Sequence, residues 1–246
     1  MSKIIVIVGP TGVGKTKLSI ALAKEFNGEI INGDSMQIYK GLDIGTAKIK
    51  ESEKENIPHH LFDIKNVTEH YSVFNYQQEG RAKIEEIRKK NKVPIIVGGT
   101  GLYIKALLYD YRFGANNTLG DILLYDCIFI GLTIPRDKLY QIINNRVDKM
   151  IADGLIDEVA SLYKQNIRSK AIKTGIGYKE LYQYFDNIIT LEEAINLIKK
   201  HSRNYAKRQY TWFNNKMKIK WFNVDLNNFD KTVKEIINYI KKEHFS

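Results

Sequence analysis

Hydrophobic residues follow two rhythms along this chain. Short unbroken apolar runs, rich in β-branched side chains, punctuate the first half: "KIIVIV" (Lys3–Val8), "GEIINGD" ending near Asp34, "VPIIVGGTG" and "DCIFIGLTI". Runs of this kind mark strands buried on both faces, as in a parallel sheet. Between them, "KTKLSIALAKEF" from Lys15 and "QQEGRAKIEEIRKKN" space their apolar residues as helices do. The alternation predicts an α/β fold with a central parallel sheet flanked by helices. After Pro135 the rhythm is mostly helical. "RDKLYQIINNRVDKMIADG" and "LIDEVASLYKQN" join at Gly154, another helix begins around Tyr178, and a longer one runs from Leu191 to about Asn214. "KIKWFNV" predicts a last strand and "DKTVKEIINYIKKEHF" a closing helix, which completes a helical C-terminal part. No internal repeat interrupts this order. The one linker-like stretch is "FGANNTLGD" (Phe113–Asp121).

Length and composition narrow the class. The 246 residues, 43% hydrophobic and 27% charged, suit one substantial globular domain spanning 1–246. The single cysteine, Cys127, excludes an internal disulfide framework and fits a reducing compartment, so a cytoplasmic location is expected. No run approaches the roughly 20 apolar residues that span a bilayer, and no membrane partner is expected. The opening "MSKIIVIVGP" leads straight into a glycine loop that a cleaved signal peptide would destroy, so it reads as a strand. A formal charge of +10 favours polyanionic partners, although the many Lys, Ile and Asn residues fit a compositional bias equally well.

Candidate chemistry begins at "GPTGVGKT". Gly9, Gly14, Lys15 and Thr16 complete the G-x-x-x-x-G-K-[ST] pattern of a P-loop between a strand and a helix. With Pro10, Thr11, Gly12 and Val13 they make the candidate diphosphate- or nucleotide-binding loop. Backbone N–H groups turn toward oxyanions, the helix N-terminus adds its dipole, Lys15 a charge and Thr16 a magnesium-directed hydroxyl. The pattern identifies phosphate binding and is silent on what is done to the phosphate. A common nucleotide hydrolase adds an aspartate at another strand end; "IIVGGTG" and "CIFIGLT" carry none. Asp34, after "EIING", is the strand-end carboxylate near the loop. It reads equally as a cap for a following helix or as a general base for an incoming nucleophile. The carboxyl ends of parallel strands converge on a crevice, so Asp34, Thr100 and the glycine loop are expected to share one mouth. His59 and His60, adjacent in a loop, point different ways and are not expected to bind metal together. Asp43 and Asp63 read as structural or capping acids.

Several stretches, taken in order, resemble tRNA dimethylallyltransferases: "GPTGVGKT", "INGDSMQIYKGLDIGTAK", "PHHLFDI", "YSVFNY", "VGGTGLYIKALL", "GLTIPRDKLY", "RVDKMIADGLIDEV", "IGYKEL" and "RNYAKRQYTWF". The likeness runs from about Ile4 to Phe213 with one interruption. It implies prenyl transfer, with no phosphoryl group moved. The loop would hold the diphosphate of dimethylallyl diphosphate, which departs intact. The exocyclic amine of the adenosine 3′ to certain tRNA anticodons would attack the first allylic carbon. The resemblance casts Asp34 as acceptor of the amine proton and Thr100 as a partner that orients the reacting groups. Lys15, Thr16 with magnesium, and Arg136 in "TIPR" would neutralise the departing diphosphate. Without the family, Arg136 reads as an exposed first-turn residue behind Pro135. Asp34, Ser35, Met36 and Gln37 would lie against the tRNA.

"KKHSRNYAKRQYTWF" gathers Lys199, Lys200, Arg203, Lys207 and Arg208 among Tyr205, Tyr210, Trp212 and Phe213. Composition alone fits a solvated basic face; the resemblance assigns Arg203, Lys207 and Arg208 to tRNA, where basic residues track phosphates and aromatics stack on bases. Asn214 stands where the family often has another arginine. Between "YIKALLYDYRF" and "CIFIGLTIPR" the family usually carries a helical lobe that grips the anticodon stem. Here only a short loop at about 114–125 is available. The resemblance therefore implies a monomeric, magnesium-using enzyme acting on dimethylallyl diphosphate and the tRNA anticodon stem-loop, stripped of one RNA-binding arm. Three other readings stay open: prenyl transfer to a free adenine nucleotide (AMP, ADP or ATP), a small-molecule kinase in which Asp34 activates a hydroxyl, and an RNA-binding remnant without turnover.

Overall fold

The apolar runs become the strands of one sheet. In a computed structural model that describes residues 3–113 and 120–245, the strands are β1 (Ile4–Val8), β2 (Gly28–Asn32), β3 (His59–His60), β4 (Val93–Val97), β5 (Cys127–Thr133) and β6 (Lys220–Asn223). They pair in parallel throughout, in the order β3-β2-β4-β1-β5-β6. The helices that cover it are α1 (Lys15–Glu25), α2 (Val73–Lys89), α3 (Gly101–Leu108), α4 (Arg136–Ala152), α5 (Leu155–Lys164), α6 (Lys170–Thr174), α7 (Tyr178–Phe185), α8 (Leu191–Lys216) and α9 (Phe229–Phe245). Among the described residues no helix is long and apolar enough to cross a membrane.

Strand periodicity divides the core into two layers. Ile4, Val6 and Val8 of β1 face one side, with Tyr76 and Ile84 of α2, Ile104 of α3 and Phe213 of α8. Ile5 and Ile7 face the other, with Leu18 and Leu22 of α1 and Ile236 of α9. A strand buried on both faces needs apolar residues at every position, which is why these runs are unbroken.

Three elements escape the sequence pattern. β3 is two residues long, α6 only five, and "GLYIKALL" in α3 is too uniformly apolar for periodicity to identify. Helix α2 starts at Val73, four residues before the expected position, because Ser72 caps it. The Asn75 N–H donates to Ser72 Oγ at 3.2 Å, and the Ser72 N–H donates to Asn75 Oδ1 at 3.1 Å.

Two backbone contacts prepare the site. The Gly33 N–H donates to Val97 O at 2.7 Å and the Thr100 N–H to Gly33 O at 3.1 Å. A Cβ on Gly98 would stand 2.2 Å from the Gly33 carbonyl carbon, so only glycine lets the loops after β2 and β4 touch. Much of the expected linker, residues 114–119, lies outside the described residues. On its flanks Tyr109 and Leu123 form an antiparallel bridge; Asp110 N–H donates to Ile122 O at 3.0 Å and Leu124 N–H to Leu108 O at 2.9 Å. The chain thus leaves α3 and returns toward β5 as a paired ladder.

Candidate active site

The glycine loop turns at the carboxyl end of β1 through Gly9, Gly12 and Gly14, with φ of 140°, 88° and 91°. These are left-handed values that glycine adopts without strain. The loop opens onto a cavity of about 580 Å³, within the range of small-ligand sites. Thr11, Gly12, Gly14, Lys15 and Thr16 line it on one side and Asp34 to Gln37 on another, while α4 and α8 close it. Its polar floor meets an apolar wall of Ile143, Val147, Met150, Leu155 and Ile198.

Lys15 folds back on its own loop, donating to Gly9 O at 2.9 Å and Pro10 O at 2.7 Å. Burial first, and the Arg146 charge second, pull its pKa down to about 7, with Asp34 opposing. Arg146, on α4, lines the same cavity; its Nη2 donates to Thr46 O at 3.4 Å. Burial lowers the pKa of Arg146 and the Asp34 carboxylate raises it. Two cations and one carboxylate therefore sense each other across the cavity.

Of the two roles that the sequence left open for Asp34, the helix cap is not taken up, since no helix directly follows it. Its N–H donates to Asn32 Oδ1 at 2.9 Å, and its Oδ1 accepts the Met36 N–H at 2.9 Å, an Asx turn. The carboxylate so held lines the cavity beside Lys15. Thr100 stands just behind the wall: its Oγ1 accepts the Ser35 N–H at 3.0 Å. Tyr205, on α8, lines the cavity; burial first, and then Asp34, pushes its hydroxyl up to about 12. Gln37 Nε2 donates to Thr46 O at 3.0 Å.

Other expected residues are placed differently. Arg136 is exposed on the first turn of α4; its Nε donates to Tyr140 Oη at 3.0 Å and its guanidinium lies 5.2 Å from that ring, away from the cavity lining. Helix geometry explains this: at the first turn its side chain projects to solvent, whereas Arg146 falls among Ile143, Val147 and Met150. Arg203 donates to Asn144 Oδ1 at 2.6 Å. Arg208 lines the cavity and also an outer groove, together with Lys207, Trp212 and Lys216. His59 and His60 do point apart: the first is bonded to Ile57 O, the second to the Glu29 carboxylate. Asp43 and Asp63 pair with Lys48 at 2.6 and 2.5 Å. Among the described residues no cluster of three His, Cys, Asp or Glu side chains could hold a metal ion.

Arg146, Glu158 and Gln209 went unread in the sequence. Glu158 accepts the N–H groups of Asp43, Ile44 and Gly45 and the Tyr178 hydroxyl, at 2.7–3.2 Å, and so holds the loop whose Thr46 carbonyl meets Gln37 and Arg146. A signal existed for two of the three. Arg146 follows Ile143 by three positions, and Gln209 lies between buried Ala206 and Phe213 at helical spacing. Both are polar residues on apolar helix faces.

A six-stranded parallel sheet flanked by helices, with a glycine loop and a carboxylate lining one cavity, defines a protein of the α/β class. The IPP transferase family model matches residues 37–121 and 115–216, two pieces that meet at 115–121. The tRNA dimethylallyltransferase of Anoxybacillus flavithermus is 46% identical over 304 residues, covering 99% of this chain and 98% of the relative; that of Bacillus subtilis is 45% identical over 284 residues and 90% of each. A 304-residue match to a 246-residue chain means the relative carries residues with no counterpart here. Among solved structures, the tRNA isopentenylpyrophosphate transferase of Bacillus halodurans superposes with TM-score 0.89 at 41% identity, covering 98% of this chain and 96% of that one. A eukaryotic dimethylallyltransferase acting on tRNA gives 0.88 at 28% identity, covering 99% and 79%. The chain belongs to the IPP transferase family.

Proposed function

We propose that this protein transfers the dimethylallyl group of dimethylallyl diphosphate to the exocyclic amine of the adenosine 3′ to the anticodon in tRNA, releasing diphosphate. One observation carries the reading: the phosphate loop and the Asp34 carboxylate line a single cavity whose other wall is apolar. The names of the relatives, which are tRNA dimethylallyl- and isopentenyltransferases, support the same reaction.

In this reading the amine nitrogen attacks the first allylic carbon, and the carbon–oxygen bond breaks with its electron pair leaving on the diphosphate. The amine proton passes to Asp34, held in place by the Met36 N–H. The loop N–H groups, Lys15 and Arg146 stabilise the charge growing on the diphosphate, the kind of preorganised contact worth about 3 kcal/mol each. Arg208 contributes from α8, whereas Arg136, engaged by Tyr140, stands outside this step. The five-carbon tail lies against Val147, Met150 and Ile198. Thr100 orients the base indirectly, through its bond to Ser35.

Magnesium fits this site as an ion shared with the substrate. Thr16 lines the cavity at the start of α1, and no carboxylate cage is present among the described residues, so diphosphate oxygens, the Thr16 hydroxyl and water would hold it. When bound, it would spread the negative charge of the leaving group. The split of the family match at 115–121 supports a single core over 1–246 in which the helical lobe is reduced to a short loop at about 114–125. The protein acts as a monomer in the cytoplasm, gripping the anticodon stem-loop through Asp34–Gln37 and the basic face of α8.

Incubation with labelled dimethylallyl diphosphate and either unmodified tRNA or AMP tests the reading. Label on tRNA adenosine is expected; label on AMP alone would move the function to free-nucleotide prenylation.

A further inference from the structure

Helix α8 sets Gln209 between two loops that the proposed reaction must hold in register. The side chain is buried, 5% exposed. Its Oε1 accepts the Thr11 N–H of the glycine loop at 3.0 Å, and its Nε2 donates to the Gly99 carbonyl at 3.0 Å. One amide plane thereby joins the loops that follow β1 and β4, neighbouring strands of the sheet. Room is kept for it, since a Cβ on Gly99 would stand 2.0 Å from Gln209 Nε2. One turn earlier, Tyr205 lines the same cavity. Thr100 accepts the Ser35 N–H. The Gln209 amide thereby ties the phosphate loop to Gly99, whose chain neighbour Thr100 holds the turn that carries Asp34.

We propose that Gln209 is a positioning residue that fixes the separation between the diphosphate cradle and the side of the cavity where the amine is received. The proposal rests on the prenyl-transfer reading above. Thr11 needs an acceptor and Gly99 a donor, and a primary amide supplies both on one rigid group. A carboxylate there would keep the first bond, lose the second and set a negative charge beside the leaving diphosphate. Because Gln209 takes up the Thr11 N–H, the oxyanion is left to the amides from Gly12 onward. The reaction joins a carbon held by one loop to a nitrogen held against the others. A misplacement of about 1 Å in such an arrangement can cost about 100-fold in rate.

Three variants test this: Gln209→Met, which fills the space without either bond, Gly99→Ala, which displaces the amide from the other side, and the double variant. Each single change should lower kcat for prenyl transfer by about 100-fold while the KM values for dimethylallyl diphosphate and tRNA stay within about 3-fold. The double variant should be no slower than the worse single one, because both changes break one contact. Unchanged kcat in Gln209→Met, losses that multiply in the double variant, or a loss confined to KM for dimethylallyl diphosphate would each overturn the proposal. Should Gln209→Met fail to fold, Gly99→Ala, which keeps the glutamine, carries the kinetic test. Hydrogen exchange at the Thr11 amide reads the contact without turnover: faster exchange in Gln209→Met supports it, and unchanged exchange overturns it. Wild-type protein that prenylates nothing would sink the reading of the site, and the exchange result would still decide whether the contact exists.

Discussion

Lys15 carries the clearest electrostatic consequence of the site. Its ammonium is withdrawn from water and faces Arg146, so the ligand-free pKa lies near 7, below the ordinary 10.5. Between those two values the unfolded chain binds this proton and the folded chain has lost it. Lys15 therefore costs the fold stability below pH 7, and the cost fades as pH rises toward 10.5. An arriving diphosphate reverses the balance by favouring the charged form. At pH 8, binding of dimethylallyl diphosphate should take up close to one proton more in wild type than in Lys15→Met. Calorimetry in buffers of different ionisation enthalpy measures this. Equal uptake by the two proteins would mean that Lys15 is already charged before the ligand arrives.

Among the elements, α5 has the least obvious function until its contacts are traced. It buries Leu155, Val159 and Leu162, and on its flank Glu158 gathers three successive backbone N–H groups and the Tyr178 hydroxyl. Glu158→Ala leaves those donors without their acceptor and should cost about 2–3 kcal/mol, against about 1 kcal/mol for Tyr178→Phe, which removes a single bond. Denaturant unfolding compares them, and equal losses would show that the amides do not depend on the carboxylate. The clamp also marks where sequence reading stops. The runs in β1, β4 and β5 and the repeats in α4, α8 and α9 announce themselves, because burial on two faces or on one stripe dictates residue type locally. Glu158, in "LIDEV", reads as an ordinary first-turn acid, since its three backbone partners lie more than a hundred residues upstream. Asp34 was legible because a loop after a parallel strand must face the crevice. The placement of Arg136 was not legible: it depends on which turn of α4 reaches the cavity, and "TIPR" does not encode that.

Over the whole molecule the charge of +10 says little until it is resolved into places. Many of its cations are spoken for: Lys48 by Asp43 and Asp63, Lys92 by Glu29, Lys199 by Asp148 and Arg203 by Asn144. The cavity and the outer groove of α8 meet at Arg208, beside Lys207, Trp212 and Lys216. This continuous basic and aromatic path suits single-stranded RNA entering the site. Arg208→Ala should weaken tRNA binding most at low salt and flatten the plot of log K against log salt by about one unit, while Arg203→Ala should alter the slope less. Filter binding across a salt series separates them, and a wild-type slope in Arg208→Ala would remove Arg208 from the RNA path.

The account depends most on a carboxylate standing ready beside a phosphate cradle, and Asp34→Asn tests that pairing directly. In single-turnover prenyl transfer to tRNA the variant should bind dimethylallyl diphosphate as wild type does, yet form the carbon–nitrogen bond roughly 100-fold more slowly. Transfer at the wild-type rate would contradict it.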